Sequence, residues 1–394
     1  MKYVNIEFFD EEAIENVITC LNYKMDKVIF FGYKEIMTAE RTNIIENYLK
    51  DRCNVKEAEF KEVNKENLEE ITARIEEALD KERKDGNRCY FDLTGGEDLV
   101  LVAIGMLAEK YDIPLHKYDV PSNKLICFHK DKERRINKSA GKQENPQINL
   151  DDIIGMRGGC INYRKHKDYK ENLEQPEVKK DILNMWEIAR KDPKRWNAFS
   201  MILKGCNKYV IQDTVVTLPL QEWRTVVSKE KKRIDRNRVN DYMNALQKTG
   251  ALIWNGGIGK NVKIVYKDMM VKECILDAGC LLELITYYNR KDCGKYSDVR
   301  VGVHLDWDGK IIGNDVENEI DVMVLEGNVP TFISCKNGEV TTPAALYELD
   351  SVAKEMGGKY AKKELALGAG ISPVQRKRAE SMDINIYEIN QGIG

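Results

Sequence analysis

From Val4 to about Val120 the chain alternates short, apolar, β-rich runs with helical stretches, and this alternation leaves the N-terminal part few folds to choose from. The β-rich runs are Val4 to Phe9, Lys27 to Gly32, Val55 to Val63, Cys89 to Leu93 and Pro114 to Val120. Helices are expected near Glu12 to Leu21, Ala39 to Arg52, Glu66 to Lys84 and Glu97 to Tyr111. Such a repeat predicts a parallel, doubly wound sheet covered on both faces. Ligands of these sheets sit beyond the carboxyl ends of the strands, at a switch point. Three loops gather there: Phe9-Asp10-Glu11, Gly32-Tyr33-Lys34 and Thr94-Gly95-Gly96. The last joins a strand directly to a helix, so its N–H groups and the helix N-terminus can receive a phosphate. A tight strand-to-helix connection accounts for the same glycines equally well.

A second constraint lies near the other end. Glu319 to Leu325 and Val329 to Lys336 are both β-rich, and Gly327-Asn328 between them suits a tight turn. Centred there, the hairpin sets Asp321 opposite Ser334 and Glu319 opposite Lys336. Side chains alternate with period two, so these four are expected on one face, with Ile320, Ile333 and Cys335 in the core. The residue types suit phosphodiester hydrolysis, which needs a cation to polarise the phosphoryl oxygen and a cationic side chain for the developing charge. Asp321 would hold the metal, Lys336 would orient the water or stabilise the phosphoryl oxygens, and Glu283, on an expected helix leading into this sheet, offers a further carboxylate. In the opposing reading the domain is inactive and Lys336 simply pairs with Glu319 across the strands.

The hairpin resembles the PD-(D/E)xK endonuclease superfamily. Ala345 to Asp350, followed by Met356-Gly-Gly-Lys-Tyr360, is similar to the helix after the catalytic hairpin in the Card1/Can2 group, CRISPR-associated nucleases with an N-terminal CARF sensor domain. The resemblance implies a homodimer that binds cyclic tetra-adenylate and then cuts DNA or RNA with Mn²⁺ or Mg²⁺ in type III CRISPR defence. Metal ligands would be Asp321, Glu283 and Ser334. Where the family pattern has Glu, this chain has Ser334, and one carboxylate–cation interaction near a surface is worth on the order of a few kcal/mol at an effective dielectric of about 20. Weak metal affinity would follow, unless Glu319, Glu339 or Glu283 supplies the charge. Leu93 to Gly96 is likewise similar to the threonine-glycine-glycine loop of CARF domains, which implies that Thr94, Gly95 and Gly96 contact the cyclic oligoadenylate, with Phe9, Asp10 and Lys34 nearby. Glu97-Asp98 follow the glycines here; they suit the helix dipole but repel phosphate.

The length of 394 residues suits two or three domains. The expected division of this α/β chain is a Rossmann-like CARF domain (1–145), a connector (146–179), a winged-helix-like domain (180–270) and a restriction-endonuclease-like domain (271–394). A polar stretch from Asp131 to Pro146 marks the first boundary, and Met156 to Gly159 with Arg164 to Lys167 read as a surface connector. From Lys180 to Tyr266 the pattern is helical, ending in a hairpin of Ala251 to Trp254 and Val262 to Tyr266. The cluster Lys229, Lys231, Lys232, Arg233, Arg236 and Arg238 is either a phosphate grip or a solvated helix face. A net charge of -3 excludes a global basic field, so any nucleic-acid binding is local. The ten cysteines form no C-x-x-C pair and are expected to be reduced; His116, His129, His166 and His304 lack ligand spacing. With no signal peptide expected and no apolar run near the ~18 residues of a membrane span, the expected location is cytoplasmic. Against the gated nuclease stand two alternatives: a non-nucleolytic, oligoadenylate-responsive regulator, and a ring nuclease that degrades its own ligand.

Overall fold

The computed structural model describes residues 1–128, 148–165, 172–256, 258–310 and 317–389. The boundary expected at Asp131 to Pro146, together with His129, His166, Lys167 and Gly257, lies outside them. The N-terminal sheet contains β1 (Tyr3–Phe8), β2 (Lys27–Gly32), β3 (Glu57–Glu62), β4 (Arg88–Asp92), β5 (Leu115–Asp119) and β6 (Lys124–Cys127), in the order β3-β2-β1-β4-β5-β6. All neighbours are parallel except the β5–β6 pair, and the order reverses between β1 and β4. Val4, Ile6 and Phe8 pack on one face with Ile71, Ile75 and Leu79 of the Leu68–Lys84 helix; the other face carries Val28, Phe30 and Tyr90.

Two local expectations fail. The single helix from Glu12 to Leu21 is a 3-10 turn, Ala13–Asn16, and a short helix, Ile18–Asn22. Asn16 is committed elsewhere: its Oδ1 accepts from the Asp10 N–H at 2.7 Å and its Nδ2 donates to the Asp10 carbonyl at 2.9 Å. Strand β6 follows a turn at Asn123 (φ 53°) that the sequence reading passed over.

The middle sheet contains β8 (Val210–Gln212), β9 (Val215–Pro219), β10 (Leu252–Trp254) and β11 (Asn261–Tyr266), in the order β10-β11-β9-β8. With helices Pro193–Cys206, Leu220–Lys229 and Arg236–Lys248 the succession is helix, strand, helix, helix, strand, strand, the topology of a winged helix. Strands β8 and β9 fall inside the stretch expected to be helical. The last helix starts at Arg236, capped by Asp235, so Arg233 stands outside it.

The C-terminal sheet contains β7 (Cys160–Ile161), β12 (Asp298–Asp306), β13 (Glu317–Glu326), β14 (Val329–Lys336), β15 (Lys362–Leu367) and β16 (Ile384–Glu388), in the order β16-β15-β14-β13-β12-β7. Strands β12, β13 and β14 run antiparallel to one another; β14, β15 and β16 are parallel. Val322, Ile333 and Cys335 join Trp196 and Phe199 of the winged helix in one core cluster. Met323, Phe332 and Leu346 share another with Phe30 and Tyr90 of the N-terminal sheet. The stretch read as a surface connector is built in: Ile154 and Met156 are buried, and Cys160–Ile161 pairs with β12. Among the described residues no helix is long and apolar enough to cross a membrane.

Candidate functional site

Strands β13 and β14 pair from Glu326↔Val329 to Val322↔Ile333, the register expected from the turn. Beyond Val322 the strands part, and Asp321 fills the opening. Its Oδ2 accepts from the Cys335 N–H at 2.5 Å and the Ser334 hydroxyl at 3.3 Å, and lies 3.8 Å from Lys336 Nζ. On the other side β12 pairs Val301 with Val322 and Val303 with Ile320, leaving Gly302 facing Asp321 with φ +57°. Val301 and Val322 pack in one core cluster and Val303 and Ile320 in the other, so side-chain alternation inverts here. Glycine takes that φ without strain, and the kink falls directly across from Asp321.

The kink also corrects the expected constellation. Glu319 lies across from His304, its carboxylate 3.7 Å from Nε2, while the ion pair of Lys336 is with Asp321. Glu339 pairs with Lys194 at 2.7 Å. Glu283 sits in the first turn of the Cys280–Asp292 helix, one turn before Thr286, whose hydroxyl accepts from the Cys335 thiol at 3.6 Å. At the same end Asn337 Nδ2 donates to the Ala278 carbonyl at 2.9 Å. Burial pushes the Asp321 carboxyl above its ordinary pKa, and the Glu319 charge adds to this; Lys336 and the Cys335 N–H pull the other way without cancelling it. The hydrogen bonds to Asp321 and its ion pair all fall on Oδ2, so Oδ1 has none among the described residues.

At the carboxyl edge of the N-terminal sheet the loop after β1 meets the loop after β4. The Gly96 N–H donates to Asp10 Oδ2 at 3.0 Å, and the Glu12 N–H donates to Oδ1 at 2.8 Å. Thr94 is buried; its hydroxyl donates to Asp92 and accepts from the Tyr118 N–H at 2.8 Å. Phe9, expected at this edge, is instead 1% exposed and packs edge-on against Phe30 and Phe60. Its side chain belongs to the core because the strand's alternation continues one residue past β1. Lys34 is exposed.

Residues 272–386 match the family model of the Card1-like endonuclease domain. The C-terminal domain is similar to Card1-like endonuclease domains. No curated protein matches the sequence. Among solved structures, protein VC1899 from Vibrio cholerae aligns with a TM-score of 0.75 and 16% identity, over 99% of this chain and 94% of its own. Can2 from Sulfobacillus thermosulfidooxidans, solved in complex with cyclic tetra-adenylate, aligns with a TM-score of 0.65 and 15% identity, over 97% and 92%. At these identities the likeness concerns the fold, and it runs the length of the chain.

Sequence reasoning missed how the Card1-like domain is tied to the rest. Asn337, next to Lys336, donates to Asn197 of the winged helix at 2.7 Å. Asn328 in the hairpin turn donates to Asn123 at 2.8 Å; Asn123 also accepts from the Tyr118 hydroxyl at 2.6 Å, and Tyr118 bonds Thr94. The Gly358-Lys359-Tyr360 segment before β15 closes on the N-terminal 3-10 turn. The Lys359 N–H donates to Glu12 at 2.7 Å, its Nζ to Glu15 at 2.8 Å, and the Tyr360 hydroxyl to Glu15. Gly358 has φ 72° and ψ -163°, a region open only to glycine, and a Cβ there would collide with the Glu12 carboxylate. Gly358→Ala is therefore expected to destabilise the protein by roughly 1–3 kcal/mol. Denaturant unfolding checks this, and an unchanged midpoint would count against the contact.

Proposed function

We propose that this protein is a metal-dependent endonuclease of type III CRISPR defence, switched on by a cyclic oligoadenylate, with cyclic tetra-adenylate the leading ligand. The observation that carries the reading is Asp321 held against Ser334 and Lys336 where β13 and β14 part, inside a Card1-like endonuclease domain. Among the described residues no three His, Cys, Asp or Glu side chains gather as a metal cage. The donors present fit a hard cation that keeps most of its waters, since Mg²⁺ takes only one or two carboxylates. Asp321 would hold Mg²⁺ or Mn²⁺, with the Ser334 hydroxyl and Glu283 as the further ligands. When bound, the ion would polarise the phosphoryl oxygen and acidify the attacking water. Asp321, its pKa raised by burial, must release its proton to solvent before its carboxylate can take a cation, so cation affinity should climb with pH. Lys336 places a positive charge where the phosphoryl oxygens become more negative.

The ligand reading rests on the switch-point edge and on the fold shared with a cyclic tetra-adenylate complex. A symmetric ring would sit across the two-fold axis of a homodimer. In the free protein Asp10 occupies the Gly96 N–H that a phosphate would use. Asp10→Asn keeps an acceptor for the Glu12 N–H and removes the repulsion, so cyclic tetra-adenylate should bind about tenfold more tightly, or about 1.4 kcal/mol. Isothermal titration measures it; equal or weaker binding would reject this role for Asp10.

The deciding experiment offers plasmid DNA and single-stranded RNA with Mn²⁺, with and without cyclic tetra-adenylate. Cleavage that depends on both additions supports the proposal. Ser334, in place of a carboxylate, favours a second reading as a non-nucleolytic regulator. Ligand binding without cleavage of either substrate would select it.

A further inference from the structure

We infer that the winged helix holds the sugar-phosphate backbone of the nucleic acid that the Card1-like domain cuts, through a cation cluster at the turn between its last two helices. The inference rests on the nuclease reading. Arg224 lies on the Leu220–Lys229 helix, Lys229 ends it, Lys231 and Lys232 follow in the turn, and Arg236 opens the next helix. All five are exposed, and none forms a side-chain hydrogen bond or ion pair with the described residues. The carboxylates nearby are engaged: Glu230 pairs with Arg233, Asp241 with Arg238, and Asp235 caps the helix through the N–H groups of Asn237 and Arg238.

Such a local excess of positive charge stands out in a chain whose 62 Lys and Arg are outnumbered by 65 Asp and Glu. Arg224, Lys231 and Arg236 line a cleft of about 250 Å³ floored by Trp223, Val227 and Ile234, with no carboxylate in its lining. By contrast, the cleft at the edge of the N-terminal sheet is lined by Glu35, Glu66, Glu97 and Asp98 with a single cation, Lys65, which pairs with Glu35. Five cations that gain nothing from internal pairing suit a partner carrying closely spaced negative charge, and a phosphate backbone is such a partner. Winged helices and their helix-turn-helix relatives present this turn and the start of the following helix to nucleic acid.

The grip is also fixed relative to the chemistry. Trp196 and Phe199 of the winged helix share a core cluster with Ile333 and Cys335 of β14, and Asn197 bonds Asn337 beside Lys336. A strand held at the turn is therefore held at a constant place relative to Asp321. Readout of bases is not part of this inference; the contacts would be to backbone and thus indifferent to sequence.

The test measures binding apart from cleavage. Full-length Asp321→Ala protein, saturated with cyclic tetra-adenylate in metal-free buffer, is titrated into a fluorescein-labelled DNA duplex or single-stranded RNA, and anisotropy is followed across a salt series. Adding R224E, K231E and R236E together should weaken binding at least about tenfold and lower the slope of log K against log salt by about 2–3, because each lost phosphate contact removes about 0.7–0.9. The neutral set R224Q, K231Q and R236Q, less able to disturb folding, should give a smaller change of the same sign. A loss with duplex alone names duplex as the occupant, and a loss with RNA alone names the single strand. Affinity and salt slope equal to the parent's in both arms would overturn the inference, whatever the outcome of the cleavage assay.

Discussion

Lys336→Ala and Asp321→Ala should each lower oligoadenylate-stimulated cleavage by roughly 10²–10³-fold, the usual cost of losing one aligned charge-stabilising group. The two side chains share one arrangement, with Lys336 Nζ 3.8 Å from Asp321 Oδ2, so their effects should not add. Without Lys336 the Asp321 carboxyl loses its strongest downward pull, and its pKa rises further. Whatever activity Lys336→Ala keeps should accordingly shift to higher pH, where the carboxyl is ionised and able to take a cation. Asp321→Asn separates charge from packing: it can still accept from the Cys335 N–H and should fold like the parent, yet be as inactive as Asp321→Ala. Single-turnover cleavage over a pH range, with ligand affinity as the control for intact protein, carries the test. If either substitution leaves cleavage within about threefold of the parent, a difference of about 0.7 kcal/mol, the hairpin is not the active site.

The parts of this architecture written into the sequence are those set by short-range rules. The register of β13 and β14 follows from Gly327-Asn328 and from the alternation of Val322, Val324 and Ile333, and it was legible. So was the parallel sheet, because its strands are continuous apolar runs between long helices. Strand β9 was passed over: Val215–Pro219 is a short β-branched run inside a longer helical pattern, and it is paired with β8 and β11 in the fold. The place of Glu319 was lost for a similar reason. Period-two alternation holds only along an unkinked strand, and Gly302, whose φ of +57° breaks it, lies on β12, outside the hairpin being reasoned about. The expectation for Phe9 failed because a loop residue at a ligand edge and the last residue of a core strand look alike in sequence. Links such as Asn337 with Asn197, or Glu15 with Lys359, join positions far apart in the chain and leave no local pattern.

The Glu15 carboxyl, 3% exposed where the N-terminal 3-10 turn meets the segment before β15, should make stability fall as pH rises. Burial, helped by Asp10, pushes its pKa up to about 7 from an ordinary 4.5, although Lys359 and the Tyr360 hydroxyl oppose the rise. Glu12, beside it, is raised by burial as well, against the Lys359 N–H and Arg157. Between about 4.5 and 7 the folded protein therefore keeps a proton that the unfolded chain has released. That stabilisation is fully present below the lower value and is lost as pH climbs through the upper one, a change of roughly 3 kcal/mol at about 1.4 kcal/mol per unit. Glu15→Gln does not titrate: its one Oε1 can accept from Lys359 while its Nε2 donates to the Tyr360 hydroxyl oxygen. The unfolding free energy of the parent minus that of the glutamine protein should fall steadily across this window and level off above it. Since the carboxyl closes the contact between the N-terminal 3-10 turn and the segment leading into β15, the same titration should loosen the connection between the N-terminal and C-terminal sheets before the whole fold is lost. Protection of the Lys359 amide, which donates to Glu12, should then decline with pH faster in the parent than in Glu15→Gln once intrinsic exchange is corrected for. Parallel pH profiles for the two proteins would mean that Glu15 is already ionised in the folded state and that Lys359 outweighs its burial.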